Sequence, residues 1–425
     1  MPPILFTNVA IFAGEGDAFP GEVLVQGNRI KTVARGSGAI DRAGAELVDG
    51  GGATLMPGLV EAHAHLSFPH CATLEEMGRV PPEEHTLITA YNAQRLLDAG
   101  FTSAYSASSA KLRLDVVVRN EINAGRLPGP RLRAASPEIT ATGGFGDVRQ
   151  LHLDHHSTEL VADGPLELRK LVRLLAREGV ENVKVNLSGD NASGRMGFSG
   201  AVGYTDEEAA AVADQAREWG LDLCCHAQAA RAVQMALRHG FRVIYHCSYA
   251  DEATLDQIEA KKDEVFVAPA VGIVYATAYD AGPWGITREK AEARGAFASL
   301  ERYCTVYQKM RKRGIRVLPG GDYGFAWTPI GSNARDFELF QKLFGYTPQE
   351  ILTAATRHGG ALMLRGDELG QVREGFLADL ILVDGDPLQD VTLFQDHARI
   401  LMIMKDGRYH KPPQPRGGAA VRRAA

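Results

Sequence analysis

Six polar side chains stand where packing alone gives no reason for them. His63 and His65 lie in LVEAHAHL, directly after the apolar run at residues 54–60. At a spacing of two on an extended chain they point to the same side. Lys184 sits inside the apolar run VKVNL, His226 ends LDLCCHAQ, His246 ends RVIYHCSY and Asp322 follows RVLPGGD. Four imidazoles and a carboxylate are borderline nitrogen and hard oxygen donors, suited to Zn2+ or a neighbouring divalent ion. A lysine in mid-strand is costly to bury as an ammonium. Carbamylation by CO2 would remove that cost by making it an anionic, bridging ligand. Asn186 shares the strand face of Lys184, and the sequence leaves open which of the two faces the metals.

The elements that must position these residues follow from hydrophobic periodicity. Helical patterns cover residues 84–99, 165–178, 205–219, 229–239 and 347–357, alternating with strand-like runs at 102–106, 182–187, 222–225, 242–246, 265–268 and 316–319. Repeated strand–helix units over roughly 300 residues predict an α/β fold with a parallel sheet, closing as a (β/α)8 TIM-type barrel. In such a barrel the carboxyl ends of the strands converge on one mouth. The two chain ends read differently. Short β-rich runs separated by turns occupy residues 4–11, 21–26, 29–34 and 46–49, and again 378–383 and 400–404. Neither end can bury a core alone, so a small β-sandwich built from both termini is expected, with residues 1–57 and 368–425 in it and 58–367 in the barrel.

Composition narrows the partners. The 425 residues are 45% hydrophobic and carry a net charge of -6, so the chain can bury a large core and has no general attraction for nucleic acid or an anionic membrane. Five cysteines without a framework spacing predict reduced thiols in a cytoplasmic enzyme. No stretch reaches the roughly 20 apolar residues of a membrane helix.

Taken in order, MPGLVEAHAH, VKVNLSG, CCHAQ, YHCSYADEATLD and GGDYG resemble the amidohydrolase superfamily, in particular the branch of imidazolonepropionase-like proteins, Xaa-Pro dipeptidases and ochratoxin-type amidases. The later AATRHGGALMLR and LGQVREGFLADLILVDGDPL extend the similarity over nearly the whole chain. The resemblance implies two divalent ions, zinc first, with cobalt, manganese or nickel as alternatives. His63, His65 and Asp322 would bind one, His226 and His246 the other, and carbamylated Lys184 would bridge them. It implies hydrolysis of a C–N bond in an amide, carbamate, urea or dipeptide-like small molecule by a metal-bridging hydroxide, with Asp322 moving the proton. It also implies a homo-oligomer. Where the branch often has a histidine, this chain has Phe145. Substrate contacts are expected from Tyr249, three residues after His246, and from Tyr323, Trp327 and Arg335 in the loop after Asp322, with Phe325 and Asn333 as further candidates there. His70 and His85 could reach the mouth, and the apolar stretch 271–285 reads as a lid or a subunit contact. Two rival readings are a one-metal deaminase, which needs no lysine carbamate, and a non-catalytic scaffold, which the complete ligand set disfavours.

Overall fold

The computed structural model describes residues 2–152, 158–190 and 200–414. Its parallel strands are buried along most of their length. Leu59–Ala64 and Asn182–Asn186 have no exposed position, as expected of strands covered on both faces. Leu59–Ala64, Phe101–Ser106 and Arg131–Arg133 form one parallel sheet. A second runs in the order Leu160–Val161, Ile139–Thr140, Asn182–Asn186, Asp222–Ala229, Val243–Tyr249, Phe266–Ala268. A parallel bridge from Ala135 to Asn182 joins the two, and another from Val267 to Val317 brings the 316–320 segment beside the last strand.

That segment returns to the start of the series, because a Cβ on Gly320 would lie 2.9 Å from the backbone nitrogen of His63. Among the described residues the hydrogen bonds therefore draw two linked parallel sheets, where one closed ring was expected. The run at 316–319 contributes a single bridge in place of a strand. Pro319 has no N–H to give, and Gly320 instead donates its amide to Asp336 at 3.1 Å.

The helices between the strands begin and end on recognisable chemistry. Thr205 and Glu208 form a capping box at Asp206–Glu218, as do Thr347 and Glu350 at Pro348–Thr353. Pro82 and Pro165 open their helices at positions that need no N–H. Gly240, in the left-handed region, closes Ala230–His239. No helix among the described residues is long and apolar enough to cross a membrane.

Strands from both chain ends form one mixed, eight-stranded sheet. It forks at Asn8 (φ 50°): Ile4–Ile11 pairs with Glu46–Asp49 up to Thr7 and with Thr54–Pro57 from Ala10 onward. Leu380–Val383 lies antiparallel to Thr54–Pro57, which ties the two ends together. The two layers of the expected sandwich are thus hydrogen-bonded into one sheet wrapped around Phe6, Leu55, Leu382 and Met402. The run read as one strand at 54–60 divides at Gly58, where a Cβ would meet the Thr102 hydroxyl at 2.1 Å.

Arg131 links this sheet to the parallel strands, reaching Asp379 at 3.1 Å and Asp406 at 2.6 Å. The Asp379 side chain is 2% exposed, so Arg131→Met takes the guanidinium from a buried carboxylate that keeps the Asp406 amide. The variant is expected to lose about 3–5 kcal/mol of stability, read as a lowered urea midpoint.

Candidate metal centre and active site

A cavity of about 460 Å³ opens among the polar strand ends, and His63, His65, Lys184, His226, His246 and Asp322 all line it. Every expected ligand is therefore in one place. His65 Nε2 lies 3.0 Å and His63 Nε2 3.8 Å from Asp322 Oδ1. The His63 and His246 rings are 5.7 Å apart and the His226 and His246 rings 4.3 Å. One donor atom each from His63, His246 and Asp322 falls within a span of 4.8 Å.

The backbone is bent to aim these groups. His246 (φ 76°), Cys247 (φ 50°) and Asp322 (φ 63°) occupy the left-handed region. Conformations of that kind cost on the order of 1–3 kcal/mol each and persist where the surroundings enforce them. The pairing of Asp222–Ala229 with Val243–Tyr249 slips at this point, between Ala227 and Ala229. Tyr307 holds the twist by donating its hydroxyl to the His246 carbonyl. Glu61, buried, accepts from the His63 backbone at 2.9 Å and from Asn333 Nδ2 at 2.9 Å.

Three features fit a cation. First, His65 has acceptors at both ring nitrogens: the Ser108 carbonyl 3.2 Å from Nδ1, and Asp322 near Nε2. A neutral imidazole has one N–H, so a second proton or a metal ion must satisfy the other side. Second, His63 Nδ1 is buried without a partner among the described residues. Third, burial, then the surrounding imidazoles and Lys184, hold His63 and His246 well below the ordinary histidine range, which keeps their lone pairs free. Burial also lowers His226.

Lys184 and Asn186 do share a face, and both reach Glu138. Lys184 Nζ is 3.3 Å from Oε1, and Asn186 Nδ2 is 2.7 Å from Oε2. Lys184 reaches the cavity, whereas Asn186 is not among its lining residues. Burial pushes the Glu138 carboxyl up, but Lys184, then His65 and the Asn186 amide, together pull it down to about 2. The Phe145 ring stacks on His226, with the ring centroids 4.4 Å apart.

Of the expected substrate contacts, Trp327 and Phe325 line the cavity, with Trp327 Nε1 donating to Thr277 at 3.1 Å. Tyr249, Tyr323 and Arg335 are not brought to it. Tyr249 lies beyond the left-handed turn at His246 and Cys247, and its ring carries the Arg302 guanidinium at 4.5 Å. Tyr323 is buried, donating to Asp336 at 3.0 Å, and Arg335 pairs with Asp280 at 2.6 Å. Asn333 is taken up by Glu61. His70 Nε2 accepts from the Ile330 amide at 3.1 Å, and His85 Nε2 meets the Ser67 carbonyl at 2.5 Å, so both are tied to backbone. The apolar stretch 271–285 folds as the helix Val271–Tyr279 and a turn, and Ile273, Val274 and Thr277 make it a cavity wall.

Sequence reasoning missed Glu138, Ser108 and Tyr303. Tyr303 stands in the helix Ala296–Lys312 with its hydroxyl 3.2 Å from His246 Nδ1. A helical periodicity marks it only as core. Glu138, in the loop-like SPEIT, reads as an ordinary surface acid.

Glu138 has a pH signature. Its folded-state pKa lies below the ordinary value of 4.5, so its contribution to stability is present above that value and lost as pH falls toward 2. The loss is about 3 kcal/mol. Urea unfolding between pH 5 and 2 should show a flatter acid limb for Glu138→Gln than for the natural chain.

Residues 54–409 match the sequence profile of the amidohydrolase family. The ochratoxinase of Aspergillus niger is 25% identical over 378 residues, covering 84% of this chain and 76% of that protein. The imidazolonepropionase of Streptomyces avermitilis is 23% identical, covering 85% and 80%. A crystal structure of a Xaa-Pro dipeptidase with methionine bound in its active site superposes with a TM-score of 0.82 at 23% identity, covering 96% of this chain and all (100%) of that one.

Proposed function

We propose, from the premise that the chain belongs to the amidohydrolase family, that it is a metal-dependent hydrolase cleaving a C–N bond in an amide, carbamate, urea or dipeptide-like substrate. The observation behind this reading is the convergence of His63, His65, His226, His246 and Asp322 on one cavity. In it the parallel strands are those of a (β/α)8 barrel, with the donors at its mouth. His63, His65 and Asp322 would hold one divalent ion and His226 and His246 a second, with Lys184, once carbamylated, as a further anionic ligand. Zinc suits the nitrogen and oxygen donors, with cobalt, manganese or nickel as substitutes. Bound there, the ions supply Lewis acidity and make water a nucleophile near neutral pH.

The chain's own residues do the rest. Asp322 takes a proton from the attacking water at Oδ1 and delivers it to the leaving nitrogen. Tyr303 orients the His246 ring. Phe68, Ile273, Phe325 and Trp327 form apolar walls that exclude water and suit an apolar or aromatic group on the substrate. The names of the relatives, an ochratoxinase and a Xaa-Pro dipeptidase among them, agree with hydrolysis of amide-type bonds.

A second reading is favoured by one observation. Lys184 Nζ donates to Glu138 at 3.3 Å, and a lysine kept as an ammonium in that pair does not take up CO2. The centre would then hold one metal, as in a deaminase of an aromatic or heterocyclic amine.

The test is chelation followed by restoration with Zn2+ or Co2+, with hydrolysis assayed over N-acyl amino acids, dipeptides, and aryl carbamates and ureas. Activity should vanish and return with metal, and Asp322→Asn should lower kcat about 10²–10⁴-fold. Two metals per chain and a gain with bicarbonate support the bridged centre. One metal and no bicarbonate effect support the second reading. Hydrolysis that survives chelation overturns both.

A further inference from the structure

We propose that Glu138 is a positioning residue that decides which nitrogen of His65 carries its proton, acting through Ser108. The proposal rests on the reading of His65 as a metal ligand. Its geometry, however, is that of the chain alone.

Ser108 Oγ lies 2.9 Å from His65 Nδ1 and 3.3 Å from Glu138 Oε1. A serine hydroxyl has one hydrogen to give, and a carboxylate can only accept. The hydrogen of Ser108 therefore goes to Glu138, and Ser108 Oγ must accept from an Nδ1–H of His65. The Ser108 carbonyl, 3.2 Å from the same nitrogen, is a second acceptor for that proton. Nε2 is left to the cavity, on the side of Asp322, as the atom that can meet a cation. In the metal-free chain, with Lys184 unmodified, Lys184 Nζ and Asn186 Nδ2, at 3.3 Å and 2.7 Å, fix the carboxylate in the orientation that receives Ser108. Partners of this kind behind a metal-binding histidine set its tautomer and ring orientation.

Removing Glu138 should do more than loosen packing. The Ser108 hydroxyl, freed from the carboxylate, can donate to Nδ1. The ring proton then moves to Nε2, where Asp322 Oδ1 accepts it at 3.0 Å and the lone pair needed by a metal is lost. A further deletion follows an unusual course. In Glu138→Ala/Ser108→Ala the competing donor is gone while the Ser108 position keeps its backbone carbonyl, so the proton returns to Nδ1. A residue that merely fills space would make the double variant worse than the single one.

The experiment uses the full chain labelled with 15N-histidine, His65 being assigned by the loss of its signals in His65→Asn. In the metal-free natural chain His65 Nδ1 should be protonated. In Glu138→Ala it should be bare, and Zn2+ affinity, measured against a chromophoric chelator, should fall about 10–100-fold. In the double variant Nδ1 should again be protonated and most of the affinity restored. A bare Nδ1 in the natural chain, or a double variant that binds Zn2+ no better than Glu138→Ala, overturns the proposal. Should unpaired Lys184 keep Glu138→Ala from folding, Glu138→Ala/Lys184→Met takes its place and is read by the His65 Nδ1 signal alone, bare for the proposal and protonated against it. Hydrolysis is not read at any point, so failure here is distinguishable from failure of the hydrolase assignment.

Discussion

Buried imidazoles gathered around a carboxylate crowd lone pairs and negative charge together, an arrangement that a cation would stabilise. His63 and His246 are desolvated, which suppresses their protonation, so the protons that could balance Asp322 are held off. Lone pairs and a carboxylate oxygen then face one another across a few ångströms, and His65 places an acceptor at each of its nitrogens. A divalent cation would resolve all of these conflicts together.

The scaffold holds these groups together at some conformational cost. Left-handed backbone at His246, Cys247 and Asp322 turns the strand ends inward, and buried side chains lock the turns. Tyr307 grips the His246 carbonyl, Glu61 grips the His63 amide, and Asp336 takes the Gly320 amide just before Asp322. Burial raises Glu61 to about 7 and Asp336 well above the usual carboxylate range, which favours their neutral forms behind the site. The apolar wall from Val271–Tyr279 and the Phe325–Trp327 pair, stacked at 5.7 Å, line the cavity.

How far the sequence foretells this depends on what kind of signal each residue leaves. His63, His65, His226, His246 and Lys184 interrupt apolar runs, and a polar residue in a buried strand stands out. The helices were legible because their apolar residues recur with the helical period. Tyr249 misled because spacing along a regular strand ignores the turn at His246 and Cys247. Arg335 and Tyr323 looked available only because Asp280 and Asp336, their partners, are distant or unmarked in the sequence. Glu138 and Tyr303 act through contacts 46 and 57 residues away, to Lys184 and His246, and no local pattern records such distances. The division of the 54–60 run at Gly58 was hidden for the same reason, because the clash that demands glycine comes from Thr102.

The central claim is that the cavity is built around a cation. Anomalous diffraction from crystals grown with Zn2+, recorded on both sides of the zinc absorption edge, measures this most directly. A cavity built around a cation gives a zinc peak about 2.0–2.2 Å from a ring nitrogen of His63, from His65 Nε2 and from an Asp322 oxygen. A protein that crystallises with these side chains in place and zinc absent from among them, or bound only elsewhere, would contradict it.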